Sequence, residues 1–296
     1  MNILLTGANG FTGLRFAELA QQAGHAVTAL QVDLTQPQAV SDAVAAAVAA
    51  LPQAQPWAVV HLAALSFVGH ADELAFYGVN VQGTLNLLAA LAGQAVRPSC
   101  VLVASSANVY GNCPQSPIAE SQAPAPVNHY AASKLAMEHL ARTYADRLPL
   151  VLTRPFNYTG PGQAPQFLIP KLVDHFARRA PVVELGNLYV EREYNDVDFV
   201  CHSYLHLLAH GEPLGLYNIC TSMTYTLDDV IVRLRRLAGH DIEVRVNPAF
   251  VRANEIQRLC GDPARLQAVW RAAGDAWPTA VSLDATLASM LAAAAA

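Results

Sequence analysis

Charge is what this sequence lacks most. Asp, Glu, Lys and Arg together make up 14% of its 296 residues, and the net charge is −5 at pH 7. No basic stripe interrupts it, which excludes nucleic acid as an expected partner. No apolar run reaches the roughly 18 residues that a membrane span needs. The chain opens directly on a strand pattern, so no membrane partner is expected and the expected compartment is the cytoplasm. Cysteine is scarce and scattered at Cys100, Cys113, Cys201, Cys220 and Cys260, with no Cys-x-x-Cys pair. An odd, dispersed set of this kind reads as reduced core thiols, and no metal site is expected. What remains is apolar: 53% of the residues are hydrophobic, enough for one large core or a domain with an appendage.

The first thirty residues set the fold class. Asn2-Ile3-Leu4-Leu5-Thr6 reads as a buried strand, and a helical pattern follows Gly7-Ala8-Asn9-Gly10-Phe11-Thr12-Gly13. Glycine at 7, 10 and 13 permits a tight turn, close backbone approach to a pyrophosphate, and close helix–strand packing. The helix N-terminus behind it offers free N–H groups to phosphate oxygens. Residues 26–30 read as a second strand, and the next acid is Asp33. In NAD enzymes of this plan a carboxylate about 20 positions after the glycines holds the ribose 2′-hydroxyl. Asp33 is one candidate for that role. The other reading takes Asp33-Leu34 as the element that normally follows a third strand and meets adenine, with the connection between strands two and three cut to almost nothing.

Further strands are expected at 57–62, 100–105 and 150–153, alternating with helical patterns at 37–50, 71–92 and 128–147. This alternation predicts an α/β protein, a Rossmann-like doubly wound parallel sheet. After Arg154-Pro155-Phe156-Asn157 the alternation turns irregular. Residues 1–154 are therefore expected to bind the dinucleotide. Residues 155–296 are expected to form a smaller, interleaved C-terminal lobe, with some segments returning to the first domain. His61 reads as a packed or hydrogen-bonded histidine.

The chemistry centres on residues 101–134. The apolar run Val101-Leu102-Val103-Ala104 ends in Ser105-Ser106, and Tyr130-Ala131-Ala132-Ser133-Lys134 sets a phenol and an ammonium four residues apart. On a helix that spacing puts both on one face. A free tyrosine has a pKa of about 10, too high for proton exchange at neutral pH. A nearby lysine charge is expected to favour the phenolate, while Ser106 hydrogen-bonds the same substrate oxygen. Such a set exchanges a proton with a carbonyl oxygen while hydride moves at its carbon.

Taken with Asp33-Leu34, His61-Leu62-Ala63-Ala64, Ser-Ser-x-x-Val-Tyr-Gly and Arg-Pro-Phe-Asn, these motifs resemble the extended short-chain dehydrogenase/reductase superfamily that acts on nucleotide sugars. The resemblance covers nearly the whole chain. It implies Ser106, Tyr130 and Lys134 as catalytic residues. It implies cofactor contacts from Gly7, Asn9, Gly10, Phe11, Gly13, Asp33, Leu34, Leu62, Ala63, Ala64, Asn80, Ser105, Tyr130, Lys134 and Pro155. Substrate contacts are implied for Ser106, Asn108, Asn157, Lys171, Arg192, Arg252 and Glu255, with the two arginines clamping a diphosphate. His129 departs from the family, which usually has proline before the tyrosine.

Within the superfamily, dehydratases carry acids just after the catalytic hydroxyl, where this chain has Ala107 and Asn108. Epimerase-reductases add a cysteine in that turn, and Cys113 lies slightly beyond it. The turn itself is closest to that of UDP-glucose 4-epimerases, but the shortening after Leu30 is similar to that of 4-keto-6-deoxysugar reductases. The expected activity is therefore reduction of a GDP-linked 4-keto-6-deoxymannose to GDP-D-rhamnose. The alternatives are a UDP-sugar 4-epimerase and a non-enzymatic dinucleotide-binding regulator. With no carboxylate well placed to repel a 2′-phosphate, and Arg15 within reach of one, NADP(H) is expected over NAD(H). The family pairs its helices at 71–92 and 128–147 across a two-fold axis, so a homodimer is expected.

Overall fold

The computed structural model describes residues 1–52, 55–251, 255–279 and 281–295. The opening strand β1 (Asn2–Thr6) is buried along its whole length, and the glycine loop leads into α1 (Phe11–Gln22). β2 (Ala26–Ala29), α2 (Pro37–Ala49) and β3 (Trp57–His61) follow. A π-helical turn at Tyr77–Gly83 runs into α3 (Thr84–Ala92), then β4 (Val101–Ala104), a short 3-10 turn at Ala107–Tyr110 and α4 (His129–Ala141). β5 (Leu150–Pro155) completes the first half.

All these strands are parallel, in one six-stranded sheet ordered β10-β5-β4-β3-β1-β2, where β10 is Leu216–Ile219. Within β3, β4 and β5 the runs at residues 57–60, 101–104 and 150–152 are continuously apolar because helices cover both faces of the sheet. Phe16 and Leu19 of α1 share one apolar cluster with Phe199, Tyr204 and Leu266. Val40 and Val44 of α2, Leu87 and Leu91 of α3 and Met137 of α4 build the other. Among the described residues no strand stands between β2 and β3, so β2 is the sheet's edge and is largely exposed. The chain passes from it through Asp33 directly into α2.

The helix expected over 71–92 starts later, near residue 75, and its first turns are π-helical. The wider turn sets Asn80 in the interior, where its side chain bonds Leu65 and Ser133. A bulge of this kind adds one residue to the turn and re-aims a side chain.

The second half interleaves two bodies. After β6 (Tyr158–Thr159), helix α5 (Leu168–Ala177) and β7 (Val182–Leu185) begin the smaller lobe. β8 (Glu191–Glu193) and β9 (Asn195–Asp196) lead into α6 (Val197–His210), which returns to the large sheet and packs on α1. After β10 the chain re-enters the lobe through β11 (Thr224–Thr226), α7 (Leu227–Ala238), β12 (Glu243–Val246) and β13 (Arg258–Leu259). α8 (Ala264–Ala273) packs on β10 and α6, and α9 (Leu283–Ala295) closes the lobe against α5 and α7. The lobe's core is Leu172, Phe176, Val183, Val230, Leu234 and Leu287. Thr226 and Asp229 form a reciprocal capping box at the start of α7, as the sequence Thr-Leu-Asp-Asp implies.

Candidate active site

A cleft of about 330 Å³ opens at the carboxyl ends of β1, β3, β4 and β5, the edge where open α/β sheets bind ligands. Its floor is the glycine loop. Gly7 has φ +71°, and a Cβ there would lie 2.7 Å from the backbone nitrogen of Ala63. A Cβ on Gly13 would lie 2.1 Å from the carbonyl oxygen of Gly7. Only glycine at both positions lets the loop, α1 and the β3 exit meet so closely. Gly10 caps α1 without a side chain, which leaves the first-turn N–H groups facing the cleft.

A buried chain of hydrogen bonds fixes the β3 exit. Thr84 Oγ1 donates to the Asn80 carbonyl at 2.7 Å, so it accepts from His61 Nε2 at 2.8 Å. The proton of the neutral ring is then on Nε2, and Nδ1 accepts from Thr6 Oγ1 at 2.7 Å. Burial holds His61 down to about 3, so it stays neutral and structural.

Asn128 accepts from the Ala131 N–H at 2.8 Å and so caps α4, which brings Tyr130 into the first turn. His129, in place of the family's proline, bonds the Tyr77 hydroxyl at 3.0 Å and Glu73 at 3.1 Å. Tyr130 is buried, packs edge-on against Phe76 at 6.0 Å between centroids, and meets the Ser106 hydroxyl. Ser106 sits in extended backbone at the end of β4, where its Oγ accepts from the Asn108 N–H at 3.2 Å. Lys134, one turn beyond Tyr130, donates to the Ala104 carbonyl at 2.7 Å.

The electrostatics correct one expectation. Burial raises the Tyr130 phenol above its ordinary value, and the Ser106 hydroxyl pulls it back only in part. Burial outweighs what favours the phenolate, so the resting phenol stays protonated. Burial also brings Lys134 itself down to about 8, against the raising effect of Glu138 one turn further along.

Of the expected residues, Gly7, Gly10, Phe11, Gly13, Leu62, Ala64, Ser105, Ser106, Asn108, Tyr130, Lys134, Pro155 and Asn157 line the cleft. The Ser105 hydroxyl is buried there without a hydrogen-bond partner in the protein, as a group waiting for a ligand would be. Others stand elsewhere. Asp33 turns back on Thr35, bonding its N–H at 2.9 Å and its hydroxyl at 2.7 Å. Leu34 has its side chain buried in the apolar cluster with α2 and α3. Asn9 accepts from Gln31 at 3.4 Å, and Asn80 acts on the loop through Leu65. Arg15 does not reach toward a phosphate: Asp198 of α6 holds its guanidinium at 2.5 and 2.6 Å and Glu18 at 2.6 Å.

The substrate candidates divide similarly. Lys171 donates to the Glu184 carbonyl at 2.7 Å and lies over the Phe250 ring. Arg192 is buried, bonded to Glu255 at 2.8 Å and to the carbonyls of Gln257 and Ile256. None of these lines the cleft, and Arg252 lies outside the described residues.

The sequence reading missed Ser66, Tyr158, Gln163, Ala164 and Phe167, all of which line the cleft. Tyr158 follows the expected Asn157, so its position offered a signal. It stacks on Phe11 and bonds Thr12 at 2.8 Å, tying the glycine loop to the second half of the chain. Phe67 and Phe167 meet edge to face at 5.8 Å, and no sequence pattern announces that pair.

The family model described as the NAD dependent epimerase/dehydratase family matches residues 3–220. GDP-6-deoxy-D-talose 4-dehydrogenase of Aggregatibacter actinomycetemcomitans is 35% identical over 90% of this chain and 90% of its own. GDP-6-deoxy-D-mannose reductase of Pseudomonas aeruginosa is 34% identical over 89% of each. Among solved structures, that of RMD from Pseudomonas aeruginosa complexed with NADPH superposes with a TM-score of 0.87 at 31% identity. It covers 99% of this chain and 98% of that one.

Proposed function

This chain belongs to the NAD dependent epimerase/dehydratase family, and on that premise we propose that it reduces a GDP-linked 4-keto-6-deoxymannose to GDP-D-rhamnose. The observation that carries the reading is the make-up of the turn beside Tyr130. Ser106 and Tyr130 meet at the head of the cleft, while Ala107 and Asn108 supply no acid or base. Dehydration needs such a group to protonate a leaving hydroxyl and abstract a carbon-bound proton. Reduction needs only one proton donor at the carbonyl oxygen.

The glycine cradle and the unpartnered Ser105 hydroxyl suit a nicotinamide dinucleotide, which when bound supplies the hydride. Tyr130 delivers the proton to the C4 oxygen, and Ser106 hydrogen-bonds the same atom. Lys134 supplies positive charge one turn beneath and favours the phenolate left behind. Asn157 and Asn108, which line the cleft, bond sugar hydroxyls in this reading. NADPH is favoured as the hydride source, since Asp33, the first acid after β2, is turned back on Thr35, and RMD was solved with NADPH. A homodimer through α3 and α4 is part of the proposal. Ala89 and Leu140 are exposed on those helices, and light scattering at twice 31.6 kDa is the expected result.

The test is a direct assay. Purified protein given a GDP-4-keto-6-deoxy sugar should oxidise NADPH stoichiometrically, yield GDP-D-rhamnose and leave UDP-glucose unchanged. Its cofactor should exchange freely, because a reductase releases the oxidised form at every turnover. Tightly retained NAD with formation of UDP-galactose would replace this reading with a 4-epimerase.

A further inference from the structure

Away from the cleft, the C-terminal half of α6 carries two histidines one turn apart, His206 and His210, with ring centroids 4.6 Å apart. Asp275 comes to them from beyond α8. Gly274 ends that helix in the left-handed conformation at φ +78°, and the Asp275 N–H then bonds the Trp270 carbonyl at 3.0 Å. That turn delivers the Asp275 carboxylate to within 3.1 Å of His206 Nε2. Donor atoms of all three residues lie within 4.8 Å of one another. Histidines at i and i+4 on one helix face are a recurrent pair of zinc ligands.

We propose that His206, His210 and Asp275 bind a divalent transition-metal ion of the zinc type. Metal–ligand distances of about 2.0–2.2 Å put the donor atoms of a tetrahedral site roughly 3.3–3.5 Å apart. The His206–Asp275 pair is already near that spacing, and the exposed His210 side chain needs only a small rotation to join it. His206 is fixed in advance: its ring stacks on Trp270 at 3.7 Å between centroids and 10° between planes, and its side chain is 8% exposed. Two imidazoles and one carboxylate suit zinc, cobalt, nickel or copper better than magnesium or calcium, which prefer oxygen ligands.

The geometry also fixes how tight the site should be. With metal on Nε2, the proton of His206 moves to Nδ1, which is buried without a partner. A ligating histidine normally donates that proton to a second group, so the affinity should be micromolar instead of nanomolar. The bound ion would pin the connection after α8 onto α6, with no group of the cleft involved.

The test uses chelator-treated full-length protein. Zinc titrated by calorimetry should bind with one-to-one stoichiometry, and cobalt should quench the fluorescence of Trp270. Zinc should also raise the melting temperature. His210→Ala and Asp275→Asn, both at exposed positions, should each weaken binding at least tenfold and abolish the thermal shift. Metal-free melting and turnover should stay as in the parent. Absence of saturable binding, or undiminished binding in both variants, would overturn the assignment.

Discussion

Glu138 accepts two hydrogen bonds from Arg154, at 2.9 and 2.6 Å, one helical turn beyond Lys134. Both side chains are 4% exposed, and the guanidinium also lies over the Tyr110 ring at 4.7 Å. A buried pair of this kind is costly to break, because the survivor is left charged in the interior. Glu138→Gln should therefore destabilise the fold by about 3–5 kcal/mol, read by urea denaturation. The double variant Glu138→Leu, Arg154→Met should recover most of that loss. A single-variant cost below about 1 kcal/mol would put the pair among the weak ones.

Tyr130→Phe keeps the edge contact with Phe76 and removes only the hydroxyl that meets Ser106. Turnover should fall by about 10²–10⁴, the usual range for one general acid, with cofactor affinity and melting temperature unchanged. Near-normal turnover with the substrate that the parent accepts would remove Tyr130 from the chemistry.

Legibility in the sequence followed the range of each interaction. The parallel strands showed as continuous apolar runs because both their faces are buried, and the glycine loop showed because its steric demands fall within seven residues. Tyr130 and Lys134 were visible through helical spacing alone. What stayed hidden depends on residues far apart in the chain. In the sequence Arg15 stands within reach of a phosphate, but its partner Asp198 lies 183 positions away. Thr12 meets Tyr158 across 146 positions. Lys134 was expected to lower the phenol's pKa on the strength of spacing alone. How deeply the two groups are buried, which spacing does not reveal, decided the direction. The π-helical turn at Asn80 likewise follows from a demand of the core that no local propensity encodes.

With Arg15 held by Asp198 and Glu18, the end of β2 is the place to test cofactor choice. Gln31 is exposed there and donates to Asn9 of the glycine loop. In the proposed binding mode, Gln31→Asp adds a carboxylate on the adenosine side, where it repels a 2′-phosphate and accepts from a 2′-hydroxyl. Affinity for NADPH should drop at least tenfold, about 1.4 kcal/mol, while affinity for NADH holds or improves. Equal loss of both, measured by titration, would show that Gln31 acts only through Asn9.

Lys134 allows a pH test whose sign is fixed by burial. Its folded pKa of about 8 lies below the 10.5 of a free lysine. Between those values the unfolded chain binds the extra proton, so this group's contribution to stability rises with pH. Below pH 8 the folded protein carries the full cost of a buried ammonium, on the order of 3 kcal/mol from the shift. Lys134→Met removes that cost and keeps the apolar stem, but loses the bond to Ala104, about 1 kcal/mol. The variant should therefore be more stable than the parent by about 2 kcal/mol at pH 7. That gain should disappear as pH rises from 8 through 10.5, while turnover of the substrate that the parent accepts is lost at every pH. A variant less stable than the parent at pH 7 would mean that Glu138 and Ala104 more than offset the burial of the charge. A stabilised, inactive variant would show a lysine retained for chemistry at the expense of stability.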